Sequence, residues 1–328
     1  MALGANSAVA QAEMKPSSED VKKYLRPAAI PQPRKNMMTP ERVALGKVLF
    51  FDPRLSGSNF ISCATCHNPA MGWSDGQPTA IGHGMGVLAR STPTILNTAY
   101  QRFQMWDGRK RSLEKQALGP IEAGGEMAQP LESLLPELEA IPAYVEMFEA
   151  AYPSEGITKA TLGKALASFE RTIVSTESPF DRWLKGVDGV MSESAIRGFA
   201  VFKGKANCTA CHDGFNFTDN GFHNIGLPDN KDQGRYGIKP IAVLKGAFKT
   251  PTLRDVALTA PYMHNGQYQT LEEVVEHYDS GGTKNMDNLD PNMKKLHLSQ
   301  QEKADLVAFM KALTGDPMDV IVPQLPIK

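Results

Sequence analysis

The chain has little cysteine, little histidine, almost no net charge and no long apolar run, and each shortage narrows what it can be. Its formal net charge is −1 over 328 residues, so electrostatics make no case for a nucleic-acid or anionic-membrane partner. No apolar stretch approaches the ~18 residues that a membrane-spanning helix needs. No alternating strand pattern stands out. Met1 to Ala12 lack the basic region of a secretory signal, yet end in Ala8-Val9-Ala10-Gln11-Ala12, a small-residue pattern like a signal-peptidase site. Residues 1–17 therefore read as a signal remnant, or as a plain disordered tail that would look the same.

The four cysteines that are present all fall into two copies of one motif. Cys63-Ala64-Thr65-Cys66-His67 and Cys208-Thr209-Ala210-Cys211-His212 are both C-x-x-C-H. That spelling marks covalent attachment of c-type haem: two thiols bond the macrocycle and the adjacent histidine binds iron. A four-cysteine zinc site or a thioredoxin-like pair would account for the thiols, but not for a histidine after each second cysteine. With all four thiols consumed, no disulfide is expected. Two haem c per chain imply electron transfer, activation of a small oxidant, or both. Attachment of this kind also points to an exported, periplasmic location.

Each motif has a helix before it and another after it. Thr39 and Pro40 open a helix carrying Ala44, Leu45, Val48 and Leu49, which Asp52-Pro53 stops. Ser192 caps a second, with Ile196, Phe199 and Ala200, ending near Gly204. Leu162, Ala165, Leu166 and Phe169 share one helical face. A Ser299/Glu302 capping box opens a helix with Leu306, Phe309, Met310 and Leu313, ending at Gly315. Helix, haem motif, loops, helix is the cytochrome c plan, present twice. The expected fold is all-α with long loops: cytochrome c-like domains at 18–185 and 186–328, each with one covalent haem. The boundary is expected between Ser178 and Gly189, where Pro, Gly and charge replace apolar periodicity. Pro317, Pro323 and Pro326 predict an extended C-terminal strap.

The chain between about residues 40 and 315 resembles the bacterial dihaem cytochrome c peroxidases and their relative MauG. In the first half the matching segments are Ser62-Cys63-Ala64-Thr65-Cys66-His67, Pro93-Thr94-Ile95-Leu96-Asn97, Trp106-Asp107-Gly108-Arg109, and Gln116-Ala117-Leu118-Gly119-Pro120 with Glu126-Met127. In the second half they are Phe222-His223-Asn224-Ile225-Gly226, Thr250-Pro251-Thr252-Leu253-Arg254 and Ala260-Pro261-Tyr262-Met263-His264-Asn265-Gly266. The resemblance implies hydrogen peroxide as oxidant and a redox protein, as donor or substrate, as partner. Members occur as monomers and as homodimers.

The resemblance also implies roles. Glu126 matches the glutamate over the peroxide-binding face of the N-terminal haem, where cleaving O–O needs a group that moves a proton between the two oxygens; the alternative is a surface Glu after Gly124-Gly125. Gln116 and Pro120 match residues lining the same pocket, Gln116 to orient peroxide or water and Pro120 to exclude solvent. Trp106 matches the tryptophan between the haems, a route for an electron or hole, although a Trp is more often simply core. His83, between Gly82 and Gly84, matches a loop that supplies a removable sixth ligand in many members and leaves its histidine in solvent in others. His264 is placed among the haem-contacting residues. Arg254 is expected to pair with a haem propionate, a surface arginine being the alternative. Thr259 and Pro261 match carbonyl ligands of a calcium between the domains, whose side-chain ligand is replaced here by Ser91.

Tyr278 is the informative departure. Conventional peroxidases carry a methionine fourteen residues after the histidine of the Pro-Tyr-x-His stretch, and here that position is Tyr278. This resembles the MauG pattern, in which Tyr ligates the C-terminal iron; the alternative is a core Tyr on the stripe with Leu271, Val274 and Val275. Thioether favours ferrous iron, whereas phenolate favours ferric and higher states. The leading expectation is a MauG-like dihaem peroxidase that shares oxidising equivalents. A conventional cytochrome c peroxidase and a non-enzymatic electron-transfer cytochrome are the alternatives. His223, His277 and His297 are read as structural.

Overall fold

The computed structural model describes residues 15–283 and 288–327; most of the signal-like N-terminal stretch, residues 1–14, lies outside them. In chain order the helices are α1 (Ser18–Tyr24), α2 (Pro40–Phe51), α3 (Cys63–Cys66), α4 (Leu113–Glu122), α5 (Leu131–Glu139), α6 (Pro142–Ala151), α7 (Lys159–Glu170), α8 (Pro179–Leu184), α9 (Glu193–Lys203), α10 (Leu271–Ser280) and α11 (Gln300–Lys311). Strands β1 (Phe222–His223) and β2 (Phe248–Lys249) pair antiparallel, with Phe222 opposite Lys249. The chain is thus mostly helical with a little sheet. Strands of two residues leave no alternation to read in a sequence. Among the described residues no helix is long and apolar enough to cross a membrane.

The capping chemistry sets the helix starts. Thr39 accepts from the Arg42 amide at α2, and Ser192 from the Ala195 amide at α9. Thr270 and Ser299 make reciprocal capping boxes with Glu273 and Glu302 at α10 and α11. The end of α11 differs from expectation: it stops at Lys311. The amides of Leu313 and Thr314 reach back only three residues, to Met310 and Lys311, so the last turn tightens before Gly315.

The chain forms two compact units. One, here the Cys63 unit, contains Ala29–Val174, Pro261–Gln267 and the chain from Met318. The other, the Cys208 unit, contains the chain up to Ala28, Ser175–Ala260 and Tyr268–Pro317. Each is built on the same helix crossing. In the Cys63 unit α2 packs on α7, and a Cβ added to Gly46 would collide with the Ala165 carbonyl and Phe169. In the Cys208 unit α9 packs on α11, and a Cβ on Gly198 would collide with the Asp305 carbonyl and Phe309. One turn on, Phe50 meets Phe169 at 5.2 Å and Phe202 meets Phe309 at 5.1 Å. Backbone replaces side chain at each crossing, so a larger residue there would force the helices apart, at a cost of about 1–3 kcal/mol or more.

This division is more interleaved than a single boundary near Ser178 to Gly189. That stretch holds α8, whose Phe180, Trp183 and Leu184 are buried. Tyr24 of α1 is fully buried in the Cys208 unit, stacked on Phe217 with centroids 5.2 Å apart and edge-on to Phe180 and Phe199. The strap after Pro317 has no regular structure. It lies on the Cys63 unit, where Arg54 Nη1 donates to the Pro326 carbonyl at 2.9 Å and Met318, Val320 and Leu325 cover the core.

Candidate functional site

Both motif histidines are held in one way. His67 Nδ1 lies 3.2 Å from the Trp73 carbonyl, and His212 Nδ1 lies 2.9 Å from the Phe217 carbonyl. A carbonyl only accepts, so Nδ1 carries the proton and Nε2 presents its lone pair. Trp73 and Phe217 both adopt left-handed backbone, φ 59° and 48°, uncommon for large residues. That turn aims the carbonyl at the ring. Burial lowers the pKa of His67, and that of His212 to about 4, the carbonyls pulling the other way. Both imidazoles are therefore neutral near pH 7. The four thiols are free, and burial raises Cys66 to about 11 and Cys208 to about 12. A neutral imidazole with a fixed tautomer beside two unpaired, mostly sheltered thiols fits a covalent haem at each motif.

A cavity of about 250 Å³ opens in the Cys63 unit, lined by Met105, Arg109, Lys110, Gln116, Gly119, Pro120, Ala123 and Glu126. Gln116, Pro120 and Glu126 are thus brought together. Helix α4 supplies Gln116 and Pro120 one turn apart. Pro120 also removes the helical amide that would bond the Gln116 carbonyl. Burial raises the pKa of Glu126, and Arg109 opposes it. Glu126 lies within electrostatic reach of Cys66, which ties the cavity to the first haem motif. Arg109 and Met105 were given no role by the sequence, although Arg109 ends the quoted Trp-Asp-Gly-Arg segment. Asp107 anchors that segment through Arg90 at 2.7 Å and Arg109 at 2.8 Å. Burial would raise the Asp107 carboxyl, but the two arginines outweigh it and hold it low.

The Gly82–Gly86 loop lies against the Glu126 loop. The His83 amide donates to the Glu126 carbonyl at 2.8 Å. A Cβ on Gly82 would collide with the Gly125 carbonyl, so only glycine permits the approach. His83 Nδ1 is buried without a hydrogen-bond partner among the described residues. Trp106 donates from Nε1 to the Ser91 carbonyl at 2.9 Å, and its ring lies 6.4 Å from the buried His264 ring. The Ser91 amide in turn donates to the His264 carbonyl at 2.7 Å. The half-exposed Thr259 and the buried Pro261 fall in different units.

In the Cys208 unit, Tyr278 sits late on α10 with Leu271 and Val275 buried on that helix. Burial raises its phenol pKa, and the Cys211 and Cys208 thiols add to the shift. The hydroxyl is therefore in the field of the second haem motif. Arg254 is not the surface arginine that stood as the alternative. It is 1% exposed and directed at protein groups: Nη1 pairs with Asp181 at 2.7 Å, Nε donates to the Phe215 carbonyl and Nη2 to the Tyr24 carbonyl. A carboxylate of the chain itself takes the charge expected to meet a propionate. The three structural histidines divide: His277 bonds Tyr268 and the Ile225 carbonyl, His223 sits between Asp219 and Asp290, and His297 is exposed. Cys211, Asp219 and His223 also approach one another within 4.8 Å, but the motif assigns that thiol to haem.

A sequence repeat extends beyond the C-x-x-C-H copies. Pro93-Thr94-Ile95-Leu96-Asn97 and Pro251-Thr252-Leu253-Arg254-Asp255 both end in left-handed backbone, at Asn97 (φ 60°) and Asp255 (φ 57°). Met105-Trp106-Asp107-Gly108 and Met263-His264-Asn265-Gly266 likewise share positive φ at Met105, Gly108, Met263 and Gly266. Trp106 and His264 are thus counterparts.

Comparison with known proteins agrees with these features. A family model described as di-haem cytochrome c peroxidase matches residues 40–189, and one described as cytochrome c matches residues 195–314. The chain is 47% identical to the methylamine utilization protein MauG of Methylorubrum extorquens, over 98% of this chain and 92% of that one. It is 37% identical to the cytochrome c551 peroxidase of Nitrosomonas europaea, over 88% and 85%. Among solved structures, a MauG-like protein associated with microbial copper homeostasis superposes with a TM-score of 0.83 at 32% identity, covering 90% of this chain and 94% of that one.

Proposed function

The chain belongs to the di-haem cytochrome c peroxidase family, in its MauG-like branch, and on that premise we propose how its residues divide the work. The enzyme is a MauG-like dihaem peroxidase. Each C-x-x-C-H motif holds one haem c, Cys63, Cys66 and His67 in one cytochrome c-like unit and Cys208, Cys211 and His212 in the other. Haem iron supplies the redox chemistry of peroxide reduction.

The observation that carries the assignment of roles is the cavity shared by Gln116, Pro120, Glu126 and Arg109. Glu126 takes a proton from one oxygen of peroxide and returns it to the other. Burial raises its pKa above the ordinary carboxylate value, which makes it a stronger base for that transfer. Gln116 orients the peroxide, Pro120 keeps bulk water out, and Arg109 offers a cation for the developing negative charge. Tyr278 would ligate the iron of the haem held by His212, where a phenolate would favour oxidised states. Trp106 conducts the oxidising equivalents that the two centres share. Calcium held by the Thr259 and Pro261 carbonyls, and a periplasmic location, complete the proposal. The partner is a redox protein or protein substrate, and the name of the M. extorquens relative makes methylamine utilization its proposed setting.

Stopped-flow mixing of holoprotein with hydrogen peroxide tests the roles: Glu126→Gln slows the reaction while haem content stays at two per chain. His83 favours a second reading. Its buried Nδ1 without a partner suits a ring that moves onto iron, as a conventional cytochrome c peroxidase would use to close its site until one haem is reduced.

A further inference from the structure

We propose that Lys249, assisted by Asn216, binds the propionate carboxylates of the haem in the Cys208 unit. This rests on the reading that a haem is attached there. Lys249, on β2, is 7% exposed. The one hydrogen bond of its Nζ is long, 3.4 Å to the Thr250 carbonyl, and no carboxylate of the described residues pairs with it. Burial lowers its pKa to about 8, with only the more distant Asp219 opposing. A buried ammonium in this condition is strongly unfavourable unless an anion meets it.

Asn216 presents a second buried donor. Its Oδ1 accepts from Thr252 Oγ1 at 2.9 Å, while its Nδ2 is buried with no partner among the described residues. Both residues belong to the wall that fixes His212. Asn216 precedes Phe217, whose carbonyl holds the His212 ring. Lys249 precedes Thr250, whose carbonyl takes the Thr218 hydroxyl at 2.7 Å and whose amide donates to the Gly221 carbonyl. Two buried donors without adequate acceptors call for an acceptor-only anion, and a carboxylate is that group. Haem c brings two carboxylates to this unit. Arg254, the cation expected there, is taken by Asp181, which leaves Lys249 as the cation of this wall without a counter-charge.

A cation beside a haem carboxylate favours the reduced iron, so its loss lowers the reduction potential. The test is spectroelectrochemical titration of both haems in holoprotein, with resonance Raman of the propionate bending bands. In Lys249→Gln the potential of the His212 haem falls, that of the His67 haem stays, and the propionate band shifts; Lys249→Arg restores both readings. Should Lys249→Gln fail to fold, Asn216→Asp replaces the second proposed donor with a carboxylate that repels the propionates and lowers the same potential. A folded variant with two haems, unmoved potentials and an unmoved band overturns this inference alone. Fewer than two haems per wild-type chain by pyridine haemochrome overturns the functional reading and this inference with it.

Discussion

The backbone amide of His83 donates to the carbonyl of Glu126 at 2.8 Å. A glycine-flanked loop that carries a candidate iron ligand is thereby tied to the loop that carries the candidate acid–base group. A displacement of His83 would therefore be felt at Glu126.

Glu126→Gln keeps the shape of the cavity and removes the carboxylate that would accept and return the proton. The rate of reaction with peroxide is expected to drop about 10²–10⁴-fold, with unchanged haem content and thermal stability. A stopped-flow rate within a few-fold of wild type would remove Glu126 from the mechanism.

Tyr278→Phe deletes the phenolate, and Tyr278→Met substitutes a thioether. Both are expected to abolish the near-infrared band of the shared oxidised state, and the Met variant to raise the potential of the His212 haem. Retention of that band in Tyr278→Phe would make Tyr278 an ordinary buried side chain of α10.

Arg254 and Asp181 form a buried pair at 2.7 Å, 0% and 3% exposed at their side chains. Asp181→Asn leaves the guanidinium without its counter-charge and is expected to cost about 3–5 kcal/mol. Chemical denaturation of the holoprotein measures it. A loss below about 1 kcal/mol, the scale of an exposed pair, would mean that another anion serves Arg254.

Glu170 on α7 is buried and its Oε2 has no partner among the described residues. Burial raises its pKa to about 8, with Arg171 opposing and Glu114 adding. Its folded pKa exceeds the ordinary 4.5, so the native state keeps a proton that the unfolded chain releases. Stability then falls as pH rises from about 4.5 toward about 8 and is level above that. Glu170→Gln is expected to flatten this slope and raise Tm at pH 8 relative to wild type. Parallel Tm–pH profiles would contradict it.

The sequence carried the haem sites and most of the helix starts, because these are local. C-x-x-C-H, Thr39-Pro40 and the Thr270/Glu273 and Ser299/Glu302 boxes each act over a few residues. Segments that return across the chain were hidden. Tyr24 lies far in sequence from Phe180, Phe199 and Phe217, and no periodicity announces that α1 completes their cluster. The strap itself was legible in its prolines, but its landing place at Arg54 was hidden for the same reason. The partner of Arg254 was hidden too, because nothing local reveals that Asp181 sits opposite. The Gly46 and Gly198 crossings were visible only as glycines inside helices until their partners, Ala165 and Asp305, were in place.

The most direct test is the optical and EPR response of the as-isolated, fully ferric protein to one equivalent of hydrogen peroxide. Reaction without prior reduction, with loss of the ferric signals and a new near-infrared band, is the predicted result, and it requires an open site beside Glu126 and oxidising equivalents shared with the Tyr278 centre. No reaction until one haem is reduced would contradict the account, assign His83 to the iron and make the protein a conventional cytochrome c peroxidase.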